Sequence, residues 1–322
     1  MKRRSRVLFM GVVVVAACLG LVMYRFLHRP ASGLIPVRVG YMPIAECGPL
    51  FLGVDNHIFE RNGLKLDLQQ APGGSVILES VIGGGVDVGF SNLVSLALAG
   101  SQGMDLVAFA GGAFEDSRHQ LHGLVVTRES GIDRGEALRG KTIAVNTRKN
   151  IDHLLLLQWL RGRGVPPSEV KLVEIPFPRM ETVLAAGEVQ AAAIVEPFLE
   201  HARKRGLKVL GNYFLPEDNS KVEVTSYAAR KRWLAKNAKA AEAFVAALRE
   251  SIQYANTHEQ ELRSTIAKWT RVDASLTAQM GLPGFADSPT VQGIDYLLGA
   301  MRSEGFIDTR FSAGAMLWTG IH

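Results

Sequence analysis

Hydrophobic positions along this chain fall into short runs that alternate between two periods. Val86–Asn92 (V-D-V-G-F-S-N) is an apolar run of strand length that stops at two small polar residues. It follows Ser75–Ile82, apolar at helical spacing, and the glycines Gly83, Gly84 and Gly85; Leu93–Ala99 then turns apolar again. About a hundred residues later Val183–Phe198 repeats the theme: a helix-like V-L-A-A, Gly187-Glu188, the run V-Q-A-A-A-I-V, and Glu196-Pro197-Phe198. Both stretches read as helix, glycine turn, buried parallel strand, then a polar group at the strand's carboxyl end. In open α/β sheets ligands sit beyond those carboxyl ends. Two such units predict two similar lobes around a shared cleft.

The flanking pattern extends this. Val37–Tyr41 and Leu64–Leu68 alternate as strands around a helix whose apolar face is Leu50, Phe51, Val54, Ile58 and Phe59. With Leu106–Ala110 the succession is β-α-β-α-β-α-β, an α/β arrangement of mostly parallel strands with helices on both faces. Gly111–Leu121 reads as a long polar loop and His122–Thr127 as a strand leaving the first lobe. Lys141–Val145, Val170–Ile175, the repeated unit and Val209–Leu210 build a second, smaller sheet, and Val222–Ala228 returns. From Lys231 onward the pattern is helical, with Thr257 to Gln260 as a capping box. The expected layout is residues 1–35 as a leader or anchor, 36–125 with 222–322 as lobe 1, and 126–221 as lobe 2. The crossings are expected near Val125–Ser130 and Asn219–Val224.

Charge sharpens the reading of the N-terminus. The 322 residues are 47% hydrophobic and 21% charged, with a formal net charge of +5. Lys2, Arg3, Arg4, Arg6, Arg25 and Arg29 all precede Pro36, in a segment without acids. Setting those six aside leaves 30 basic against 31 acidic residues, net −1. The body lacks the basic surface that nucleic-acid binding needs. Val7–Tyr24 is an uncharged run behind a basic start, which predicts an export signal or hydrophobic anchor helix with the body outside the cytoplasmic membrane. Three fates fit: a retained anchor, lipidation at Cys18 within V-A-A-C, or full cleavage. Cys18 and Cys47 are the two cysteines, one in this segment and one in the body, so no disulfide framework forms.

Candidate ligand groups are the loops at strand carboxyl ends: Met42–Gly48, Gly73–Ser75, Ser91-Asn92, Asn146–Asn150 and Glu196–Phe198. Three of them open helices, whose free N–H groups and dipole favour an anion. Arg148 adds a guanidinium suited to a carboxylate, sulfonate or phosphate; the alternative is a solvated loop charge. Cys47 is either a small buried hydrophobe or a thiol activated at a helix start. His119 and His122 lie three apart without further metal-ligand spacing, and Glu115-Asp116 reads as solvated loop. No P-loop, G-x-G-x-x-G after a strand, G-x-S-x-G or H-E-x-x-H occurs, so no cofactor or metal is expected.

Eight stretches carry a resemblance. They are V-R-V-G-Y-M-P from Val37, P-L-F-L-G-V from Pro49, F-E-R-N-G-L-K-L from Phe59, P-G-G-S from Pro72, G-G-V-D-V-G-F-S-N from Gly84, L-R-G-K-T-I-A-V-N-T from Leu138, V-K-L-V-E-I-P-F-P-R-M from Val170 and the run Gly187–Phe198. Together they resemble the substrate-binding proteins of nitrate/sulfonate/taurine-type ABC importers, including relatives that bind thiamine-pyrimidine precursors. The resemblance implies a two-lobed type II periplasmic-binding-protein fold, hinge closure on a small organic anion, and delivery to a membrane permease with its ATPase. By position it implies ligand contacts at Pro43, Ile44, Ala45, Glu46, Gly73, Gly74, Ser91, Asn92, Asn146, Thr147, Arg148, Asn150 and Glu196. Asn146–Asn150 departs from the small Gly/Ser-rich turn common in sulfonate and nitrate binders, leaving room for a larger, aromatic or heteroaromatic acid. Other relatives imply an enzyme as the alternative, either thiamine-pyrimidine-forming or a Cys47-dependent C–S lyase; a ligand sensor whose closed form is read by a membrane partner is a third reading.

Overall fold

The computed structural model describes residues 33–308 and 310–320. The expected anchor helix and the lipidation site Cys18 lie outside the described residues. Among the described residues no helix is long and apolar enough to cross a membrane.

Residues from Pro36 onward form one compact unit built on two five-stranded sheets. Strands β1 (Ile35–Tyr41), β2 (Leu64–Gln70), β3 (Val88–Asn92), β4 (Val107–Ala110) and β12 (Thr225–Ala229) assemble in the order β2-β1-β3-β12-β4. β1 and β3 are parallel, while β12 runs antiparallel between β3 and β4. The second sheet has the order β10-β6-β9-β7-β8, from β6 (His122–Val126), β7 (Thr142–Val145), β8 (Lys171–Glu174), β9 (Ala191–Val195) and β10 (Lys208–Gly211). There β7 is parallel to β8 and β9, and β6 is reversed between β9 and β10. Each sheet is therefore mixed through one reversed strand. β3 and β9 are buried throughout, which explains their unbroken apolar runs.

Three expectations fail here. Gly111–Leu121 is not a polar loop: β5 (Gly112–Glu115) pairs with β11 (Val222–Glu223) and β13 (Gly284–Ala286) in a third, antiparallel sheet. A side chain at Gly112 would bring its Cβ within 2.1 Å of the Thr225 carbonyl, so only glycine lets β5 lie against β12. β6 does not leave the first lobe but pairs within the second sheet, so the first passage falls at residues 116–121 instead of Val125–Ser130. Alternation alone marks a strand without saying which sheet takes it. The capping box at Thr257 is also absent, because the Thr257 hydroxyl donates back to Gln253 and Tyr254 carbonyls.

Candidate functional site

The carboxyl ends of the two sheets meet. Helix Gly74–Gly83 starts just after β2, helix Leu93–Ser101 directly after β3 and helix Ile151–Gly162 a few residues after β7. Asn92 and Asn150 cap the latter two helices by accepting from Ser95 and His153 N–H groups. Gly74 packs closely on β3: a Cβ there would lie 2.6 Å from Ser91 Oγ and 3.2 Å from Ser91 Cα. Hydrogen bonds that cross from one sheet's half to the other's include Asn146 Nδ2 to Pro72 O at 3.0 Å, Ile151 N to Asn92 Oδ1 at 3.3 Å, and Ala45 N to Glu196 O at 3.2 Å. Further out, Arg161 Nε pairs with Glu304 at 2.8 Å.

Between the halves lies a cavity of about 20 Å³ lined by Met42, Ile44, Glu46, Gly74, Phe90, Asn92, His122, Asn146, Asn150, Asp152, Phe177 and Thr225, among others. That is room for about one water molecule. Outside it a space of about 240 Å³, sharing Met42, Ile44 and Phe177 with it and lined by Pro43 and Pro72, opens toward solvent. The halves are closed on each other over this inner space.

The inner end of the cavity is polar. His122, from β6, gives its Nδ1 to Glu115 of β5 in a short contact, and its ring stacks on Phe214 at 3.5 Å. Its Nε2 stands 3.8 Å from both Glu46 Oε1 and Asp152 Oδ1. Asp152 is held by Tyr213 OH at 2.8 Å and Asn150 Nδ2 at 3.0 Å, and Asn212 Nδ2 donates to Glu115 at 3.2 Å. Glu46 Oε2 has no partner. All four ionisable groups are buried. Burial works against charge on His122, but Glu115, with Asp152 and Glu46 behind it, overcomes this and raises its pKa to about 9. Burial pushes Glu46 up to about 7 against the pull of His122, and raises Asp152 likewise.

Of the residues expected from sequence, Ile44, Glu46, Gly74, Asn92, Asn146 and Asn150 line the cavity and Pro43 its mouth. Gly73 faces Thr147, whose Cγ2 would be 3.0 Å from a Cβ there. Ser91 is buried beneath Gly74, and Ala45 donates across the seam through its backbone. Two residues are elsewhere. Arg148 is exposed and turned to the β8 side, its guanidinium on Leu172 O and its N–H on Glu174. Glu196 is buried at the start of helix Phe198–Lys204, accepting from Glu200 N at 2.8 Å and Arg203 Nη1 at 2.9 Å. Among the described residues no Lys or Arg lines the cavity. Cys47 is fully buried, with burial raising its thiol well above the usual range, which is the opposite of an activated nucleophile.

Sequence reading missed His122, Glu115, Asp152, Tyr213 and Phe214 as parts of the site. Glu115 had been expected in a solvated loop and has no exposure at all. The available signal was weak: an acid in a helix's first turn and a histidine opening a strand. Among the described residues no group of three or more His, Cys, Asp or Glu is spaced to hold a metal.

Two mixed α/β sheets whose strand ends close on one cleft define the periplasmic-binding-protein class of fold. The chain belongs to the NMT1/THI5-like family, whose model matches residues 45–262. It is 28% identical over 185 residues to a protein of Brachyspira hyodysenteriae named as an ABC transporter periplasmic binding protein, covering 55% of this chain and 53% of that one. It is 27% identical over 176 residues to the taurine-binding periplasmic protein of Escherichia coli, covering 55% and 52%. The chain thus aligns with about half the length of these relatives. The alkanesulfonate-binding protein SsuA of Xanthomonas axonopodis pv. citri, solved bound to MOPS, superimposes with a TM-score of 0.76 at 17% identity, covering 89% of this chain and 99% of that one. At that identity the likeness is one of fold.

Proposed function

We propose that this protein is the solute-binding component of an ABC import system of the sulfonate/nitrate/taurine kind, closing two lobes on a small organic solute. The single observation behind this reading is that groups from both sheets' carboxyl ends, Glu46, Gly74 and Asn92 on one side and Asn146, Asn150 and Asp152 on the other, line one shared cavity. Ligand then biases an open–closed equilibrium by bridging the halves. The permease and its ATPase are the partners that the family relationship suggests. A basic, uncharged-run N-terminus suits a receptor held outside the cytoplasmic membrane, where tethering raises its concentration at the permease.

The expected anion clamp at Arg148 has no counterpart in this geometry, and the enzyme reading through Cys47 finds a sealed thiol. Titration calorimetry of the full chain against sulfonates, carboxylates, amines and pyrimidines tests the receptor reading. It expects one site per chain, weakened at least tenfold by Asn92→Ala or Asn146→Ala. Binding that ignores both substitutions would place the ligand elsewhere and end this reading.

A further inference from the structure

The geometry points to a ligand that carries a protonated nitrogen, an amine or amidine on a small apolar body, received by Glu46. This rests on the receptor reading above and names its ligand class. Three carboxylates, Glu46, Glu115 and Asp152, surround one imidazole at the inner end of the cavity. Among the described residues no Arg or Lys lines the space. Two of the three acids are already satisfied. Glu115 takes His122 and Asn212, and Asp152 takes Tyr213 and Asn150 with the first turn of helix Ile151–Gly162 around it.

Glu46 is the exception. Its nearest cationic neighbour, His122 Nε2, is 3.8 Å from Oε1, too far for a hydrogen bond. Its Oε2 is without a partner although the residue is only 3% exposed and lines the cavity. A buried carboxylate oxygen left unmatched is costly, and a donor cation brought by the ligand removes that cost. A carboxylate or sulfonate in the same place would face Glu46 and Asp152 together. Met42, Ile44, Phe90, Phe177 and Val224 supply the apolar walls, so the ligand's remaining atoms are best hydrocarbon or aromatic.

The test uses shape-matched pairs on the full chain at pH 7.5: benzamidine against benzoate, and butylamine against butanesulfonate. The cationic members are expected to raise the melting temperature and to bind one per chain, the anionic members to do neither. Glu46→Gln is expected to weaken benzamidine at least tenfold while the unliganded variant melts no lower than the parent. Should that variant fail to fold, Glu46→Asp keeps the charge but draws it back by one methylene; weaker benzamidine binding with no gain for benzoate is then expected. Anions binding in preference to cations would overturn the inference and leave the receptor reading standing. Cation binding untouched by Glu46 substitution would overturn it too. If no member of either pair binds, this inference falls, and the receptor reading is decided by the wider titration described above.

Discussion

Glu46, in the short helical turn Ala45–Cys47 that follows β1, and Glu196, directly after β9, are both buried carboxyl groups, and burial lifts both to about 7. Their surroundings differ. Glu196 accepts from Glu200 N–H and from Arg203, so both of its oxygens are matched within its own half of the molecule. Glu46 has one oxygen facing a distant imidazole and one facing nothing. β3 and β9 are the equivalent strands of the two sheets: β3 ends in Asn92, whose side chain reaches across the seam to Ile151 N, while Glu196, just past β9, crosses it through its backbone carbonyl and keeps its carboxylate on Glu200 N and Arg203. The two buried acids thus carry different duties: Glu196 is braced by its own helix, and Glu46 is left open to whatever arrives.

The contrast breaks first, and most expensively, at the group that faces Glu46. His122→Ala would strand Glu115 without its buried partner and is expected to destabilise the protein by about 3–5 kcal/mol in denaturant unfolding. Glu196→Ala comes next, at about 1–3 kcal/mol, because a helix-end acceptor disappears while the half-exposed Arg203 turns to water. Glu46→Gln should move the other way, raising stability by about 1–2 kcal/mol at pH 8, since an unmatched charge is removed. If both acid substitutions destabilise alike, the distinction drawn between them is wrong.

The same groups set a pH dependence. Glu46 and Glu196 keep in the folded state a proton that an ordinary carboxyl near 4.5 gives up, to about 7. Their favourable effect is complete below 4.5 and lost as pH rises through 7. His122 holds its proton to about 9 instead of 6.5, an effect complete below 6.5 and lost as pH rises through 9. Melting temperature should therefore fall from pH 5 to pH 9, and Glu46→Gln should flatten the lower part of that slope. A profile that rises over this range contradicts the assignment. The smallest effect is expected at Arg148→Ala: about 0.5 kcal/mol or less, with solute affinity unchanged.

Much of this molecule was legible in its hydrophobic pattern. Buried parallel strands such as β3 and β9 cannot hide, because every position is apolar until the polar residue that ends them. The loops at their ends followed, and with them Glu46, Gly74, Asn92, Asn146 and Asn150. Sheet membership did not follow: β6 alternates equally well for either sheet, and its assignment depends on pairing with β9 more than sixty residues away. The direction of Arg148 was not legible, because charge on a mouth loop does not say where it points; the carbonyl of Leu172 turns it to the β8 side. Glu115 was missed because an acid in a glycine-flanked segment resembles a solvated turn until Asn212 and His122 arrive from distant sequence.

Asn92 holds two backbone donors at once. Its Oδ1 receives the N–H of Ser95 at 2.8 Å and that of Ile151 at 3.3 Å. In the proposed open–closed cycle the link that joins the halves, Ile151 N to Asn92, breaks on opening, and the shorter one to Ser95 keeps the amide aimed where it was. The clasp therefore stays cocked through each cycle, and shutting again requires no search by that side chain for its rotamer.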